Sequence, residues 1–294
     1  MNSHVRHFWS RFRWALVIGA GGSLLALGAT QWPRFDATVV PATAGLLLLS
    51  AVCRIIRPDD PRRARRVLGL AVAAFALHLA IGMVINRSHT LVGYLGGDAI
   101  TYDQGARAIA ARWQGARVPF PVLGPGKEGF YYALAGLYWV FGAFPVAGLA
   151  MNAFFAAALV PLLHDLTERL FGSDAGWWAA VIVTVQPGFL IWTSQLLREA
   201  GVIFVLALAL NCAVRISTRA SPGPLVLLAA DLALALTFRA DVALAAAAGL
   251  AAGSILARKQ IVSSVLSAAV VAGMVVVLVG AVGLGRNGYQ ASSA

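Results

Sequence analysis

The sequence predicts an all-α, polytopic integral membrane protein of about nine transmembrane helices, with interfacial helices in its first large outer loop. Of the 294 residues, 60% are hydrophobic and only 12% charged, and the mean hydropathy is +0.78, outside the ranges of soluble domains. Apolar runs at 15–31, 38–53, 67–85, 145–163, 176–192, 200–214, 224–238, 242–257 and 261–284 each approach the about 20 helical residues that cross a hydrocarbon core. The 23 Lys and Arg, set against 12 Asp and Glu, fall in short segments between those runs. The net charge of +11 is therefore assigned to membrane orientation, and no nucleic-acid partner is expected.

The run at 15–31 follows a basic, aromatic stretch and leads into the next run without an A-x-A-like site, so it is expected to be a retained anchor. The basic segment "CRIIRPDDPRRARR" (53–66) is assigned to the cytoplasm by the positive-inside rule. The N-terminus is then cytoplasmic too, and the run at 67–85 delivers 86–128 to the extracytoplasmic side. Whether "GFYYALAGLYWVFGAF" (129–144) crosses back is decided by later charges. Without a crossing, Arg169, Arg215, Arg219, Arg258 and Lys259 face inward against Arg198, Arg239 and Arg286 outward. That split favours an interfacial or re-entrant segment, as do Phe130, Tyr131, Tyr132, Tyr138, Trp139 and Phe141, since aromatic rings prefer the headgroup level. Three regions are expected: 1–66 with two spans and the basic loop, 67–245 as a core with outer loop 86–144, and 246–294 with the end of the eighth span, the ninth and an outer tail. Cys53 and Cys212 sit at or within span ends, which leaves no disulfide framework or CxxC site.

This topology brings "SQLLREA" (194–200) and "TFRADVA" (237–243) to the face that holds the outer loop. Arg198, Glu199, Arg239 and Asp241 then join Asp98, Asp103, Lys127 and Glu128, and ionisable groups gathered at span ends on one side are costly enough to mark a functional site. In "GGDAITYDQGARAIAARWQG" (96–115), Tyr102, Ala106, Ile109 and Trp113 recur at helical spacing, Asp103 and Arg107 stand i,i+4, and Gly115 ends the helix. Asp98 suits a helix N-cap, a role compatible with chemistry, and Asp103 reads as a surface partner of Arg107. Lys127 and Glu128 follow a "GPG" turn and could simply snorkel. Glu199 opens a span where the helix dipole favours an anion. Arg198 and Arg239 suit a phosphate or pyrophosphate. Asp231, mid-span, needs a partner, and Asn211 on the preceding helix is a candidate.

The five His residues lack metal-ligand spacing, and no GxSxG, Walker or GxGxxG pattern appears. Several outer carboxylates could bind a divalent metal ion through oxygen, but no spacing demands one. A general base, cations for a phosphorylated ligand and grooves for a lipid tail together fit chemistry on a lipid-phosphate substrate.

The ordered segments "GGDAITYDQGARAIAARWQG", "GKEGFYYALAGLYWVFG", "LAMNAFFAAALVPLLHDLTERLFGSDAGWWAAVIVTVQPGFLIWTSQLLREA" and "TFRAD" resemble the polyprenyl-phosphate-dependent GT-C glycosyltransferases, chiefly the protein O-mannosyltransferase and aminoarabinose-transferase branch. The resemblance spans about residues 67–245. It implies transfer of a sugar from a polyprenyl-phosphate donor to an extracytoplasmic glycan, lipid or protein acceptor. Asp98, with Tyr102 four residues on, matches the family's catalytic or acceptor-orienting carboxylate. The family's "E-K-P" or "P-P" before an aromatic segment is replaced by Lys127, Glu128 and Gly129, with acid and lysine reversed; Lys127 takes the donor-phosphate role. Arg198, Glu199 and Ala200 stand for its "PEA"-like span start, and Thr237, Phe238, Arg239 and Ala240 for its "TRP"-like span end, making Arg239 a donor-phosphate contact. Members usually continue for several more spans, whereas this sequence stops soon after its ninth run, so a shortened relative, an incomplete chain or a partner subunit is expected. Two other functions fit the sequence: a non-catalytic membrane scaffold of a cell-envelope complex and a transporter of a lipid-linked sugar.

Overall fold

The computed structural model describes residues 35–56, 60–95, 97–121, 123, 126–218 and 222–256. Eleven helices follow one another among them, with no strand: α1 (Phe35–Ile55), α2 (Pro61–Arg87), α3 (His89–Leu95), α4 (Gly97–Trp113), α5 (Glu128–Phe141), α6 (Pro145–Phe171), α7 (Ser173–Val185), α8 (Pro187–Thr193), α9 (Glu199–Thr218), α10 (Pro222–Phe238) and α11 (Ala240–Leu256). Their starts follow local chemistry. The Asp60 carboxylate accepts the Arg62 backbone N–H at 2.9 Å ahead of Pro61, an acidic cap followed by a residue already fixed at helical φ. Gly172 ends α6 at φ +92°, its N–H donating to the Glu168 carbonyl at 2.9 Å.

Among the described residues, four helices are long and apolar enough to cross a membrane: α1 from Thr38, α2, α6 and α9 through Ser217. The count rises to five if α7 and α8, bent by 55° at their junction, form one broken span. Three of the nine runs take another form among the described residues. The run at 176–192 conceals a break at Gln186 and Pro187, where Pro removes a backbone donor and clashes with the preceding turn. The runs at 224–238 and 242–257 become shorter apolar helices, α10 and α11. The runs at 15–31 and 261–284 lie outside the described residues, as do Arg219, Arg258, Lys259 and Arg286.

α6 is the hub: it packs against α1, α2, α5, α7 and α9. Ala147, Ala150, Ala153, Ala157 and Ala158 are buried along it. Such small side chains let helices approach closely where lipid offers no hydrophobic drive for association. Its C-terminal end is tied by charge. Glu168 pairs with Arg63 at the start of α2, and Asp165 accepts from Arg169, from Arg215 at 2.8 Å and from the Asn211 amide at 2.8 Å. Asn211 thus serves Asp165 rather than Asp231. Asp231 is buried, and its Oδ2 has no hydrogen-bond partner among the described residues.

Candidate functional site

The opposite end of the bundle holds the charged residues expected to act together. α4 starts at Gly97, so Asp98 stands in its first turn, beside the N-cap position and still at the positive end of the helix dipole. Tyr102, one turn later, is 2% exposed. Its ring meets Phe130 edge-on with centroids 5.0 Å apart and Tyr131 at 4.9 Å. Its hydroxyl is buried without a hydrogen-bond partner among the described residues. Burial pushes the Tyr102 phenol up to about 12; the Arg198 charge opposes this, while Glu199 and Asp98 add to it. Tyr131 is raised by burial and by Asp98, against Arg198. Asp98 and Arg198 thus act on both phenols and Glu199 on Tyr102 alone.

Arg198 lies in the turn before α9 and donates to the Phe238 carbonyl at 3.2 Å, which caps the end of α10 with a cation. Glu199 opens α9. Arg239, in the joint between α10 and α11, stands 4.0 Å from Glu199 and 3.5 Å from Asp241. These pairs are long, and neither Arg239 Nε nor Glu199 Oε2 has a hydrogen-bond partner among the described residues. Half-buried guanidinium and carboxylate groups held this loosely can turn to a ligand at little cost, because the strong bidentate pairing open to Arg is unused.

Lys127 and Glu128 reach the same neighbourhood through their backbone. Gly126 takes φ +71°, and a Cβ there would lie 3.3 Å from that of Ala240. A Cβ on Gly129 would collide with the Thr237 side chain, so glycine lets α5 begin directly against the end of α10. Lys127 and Glu128 are half-buried, and among the described residues neither forms an ion pair. Among the described residues, no group of three or more His, Cys, Asp and Glu side chains is placed to hold a metal ion.

Asp103 does more than pair with a surface arginine. It accepts Arg107 Nε at 2.8 Å and the Tyr138 hydroxyl, while Arg107 also donates to the Ala143 carbonyl, so the group fastens α4 to the far end of α5. Tyr102, Ala106 and Ile109 form the buried stripe of α4, but Trp113 is 48% exposed and stacks on Tyr132. The aromatic rings of α5 likewise divide: Phe130, Tyr131 and Tyr138 are buried, and Tyr132 and Trp139 face outward.

Two positioning residues have no signature in the sequence. Asn152, fully buried on α6, donates its amide to the carbonyls of Gln195 and of Leu197, the latter at 2.8 Å. His78 on α2 places Nδ1 2.9 Å from Thr193 Oγ1, whose proton goes to the Phe189 carbonyl at 2.7 Å. Together they hold the turn that presents Arg198. No family model matches the chain, and neither does any curated protein or solved structure.

Proposed function

We propose that the chain is a membrane glycosyltransferase that moves a sugar from a polyprenyl-phosphate donor to an extracytoplasmic glycan, lipid or protein acceptor. One observation supports this reading most: Asp98 and the Arg198–Glu199 pair, from two helix starts, act on the buried Tyr102 hydroxyl, which has no partner among the described residues, and Arg239 from a third helix end stands 4.0 Å from Glu199 and 3.5 Å from Asp241. Asp98 accepts the proton of the attacking hydroxyl as the new bond to the anomeric carbon forms and the bond to the phosphate oxygen breaks. Arg239 and Lys127 balance the charge on the departing phosphate, and Arg198 with Glu199 shapes the pocket. Preorganised cations in a water-poor groove lower the main cost of the step, charge separation at the leaving group. In this reading the nine runs span the membrane, the N-terminus is cytoplasmic, α4 and α5 lie along the outer interface, and the site faces outward.

The test is transfer of labelled sugar from a defined polyprenyl-phosphate sugar to envelope acceptors, with purified wild type beside Asp98→Asn. The variant is expected to stay folded and lose about 10²–10⁴ of the rate; equal transfer by both proteins sinks the assignment. Transport of a lipid-linked sugar is the second reading, favoured by the buried Asp231, whose Oδ2 has no partner among the described residues. Passage of the labelled lipid across a vesicle bilayer without a new glycosidic bond would select it.

A further inference from the structure

A cavity of about 410 Å³ opens beside the charged cluster, on the neighbouring stripe of α4. That size is within the range of small-molecule sites. Its polar lining is Asn86 at the end of α2, Asp103, Gln104 and Arg107 on α4, and Gln195 in the turn before α9, with Leu149 among the apolar walls. Three features define what it could hold. The single acid and single base are already paired at 2.8 Å, so the lining presents no unbalanced charge to an ion. The other polar side chains are all amides, which both donate and accept, as a hydroxyl does. Gln195 is 3% exposed and its Oε1 has no partner among the described residues, although its Nε2 donates to the Ile191 carbonyl at 3.0 Å. An unpaired buried acceptor is costly, and a ligand hydroxyl would relieve it.

We propose that this cavity binds a neutral, hydroxyl-rich ring, the sugar of a glycoside. Apolar walls suit the ring's C–H faces, and the amides with the Asp103 carboxylate suit its hydroxyls. The inference deepens the transferase reading by seating the sugar of one substrate, and it rests on that reading only for the use to which the bound sugar is put. Gln195 and Leu196 line the cavity while Arg198 and Glu199 stand in the charged cluster, so one short turn serves both.

The experiment is saturation-transfer NMR on the protein in phosphatidylcholine nanodiscs, since maltoside detergents carry a competing sugar. The probes are methyl α-D-glucopyranoside and methyl α-D-mannopyranoside, with inorganic phosphate as a separate arm. The wild type and Asp98→Asn are expected to bind a glycoside. Binding is expected to weaken about tenfold or more in Gln195→Leu and in Gln104→Trp, whose exposed position lets the ring fill the cavity without disturbing the core. Gln114→Trp, just past the end of the same helix and away from the cavity, keeps binding. No glycoside signal from folded wild type, equal signals from all variants, or binding of phosphate in place of the glycosides would each overturn the proposal. Glycoside binding without sugar transfer rejects the transferase and keeps the cavity; transfer without glycoside binding does the reverse. Where both hold, the substrate whose KM rises in Gln104→Trp, donor or acceptor, carries the ring that enters.

Discussion

Arg239 holds its two carboxylate neighbours at 3.5 and 4.0 Å without a hydrogen bond from Nε, whereas Arg198 is committed to a backbone carbonyl. Arg239→Ala is therefore expected to lower sugar transfer by about 10²–10³ with little change in thermal stability. Equal losses of stability and transfer would make Arg239 a structural residue. Asn152→Ala should behave in the opposite way, destabilising the protein by about 1–3 kcal/mol because the Gln195 and Leu197 carbonyls lose their buried donor, as read by thermal unfolding in nanodiscs. Tyr102 adds a pH prediction. Its phenol is raised by burial from 10.0 to about 12, so the neutral form is favoured in the fold, and its contribution to stability is complete below pH 10 and declines as pH rises towards 12. The tyrosinate absorbance difference between wild type and Tyr102→Phe should be flat through pH 10. Arg198, Glu199, Arg239 and Asp241 are legible in the sequence because charge at the end of an apolar run is conspicuous. Asn152 and His78 are not, because one polar side chain within such a run has no period or spacing, and only the groups it meets give it a role.

At the level of elements, the regularity of hydrophobicity exposes helix type but not helix end. The run at 176–192 reads as one span, yet Gln186 accepts the Phe189 N–H and Pro187 starts a new helix at 55° to the last. The stripe through Tyr102, Ala106 and Ile109 is correctly periodic, while Trp113, the last residue of α4, leaves it half-exposed and stacked on Tyr132. Close approaches between elements are equally hidden, since glycine has no side chain to signal them. α5 meets α10 at Gly129, against Thr237 and Phe238. Gly129→Val should cost about 1–3 kcal/mol through overpacking and should shift Lys127 away from the joint of α10 and α11. Stability unchanged from wild type would show that α5 does not sit so tightly on α10.

For the whole molecule, the ion pairs of Arg63 with Glu168 and of Arg215 with Asp165 bring the start of α2 and the ends of α6 and α9 to one end. The proposed site occupies the other. In a background lacking Cys53 and Cys212, single cysteines at Ile100 and at Arg62 should therefore react differently with a membrane-impermeant maleimide in intact cells. Ile100→Cys is expected to label and Arg62→Cys to remain unmodified until lysis; the reverse pattern would invert the topology.

The hub role of α6 also limits how the chain can change length. One extra residue between Pro145 and Asn152 would turn the N-terminal segment by about 100° against the rest of the helix. Either Asn152 would lose its grip on the turn before α9, or the α5 and α6 junction would swing off α4. Insertions there should be rejected singly and tolerated better in sevens, which restore the facing of both halves across about two turns, so the spacing of this helix is as much part of the site as the charges it supports.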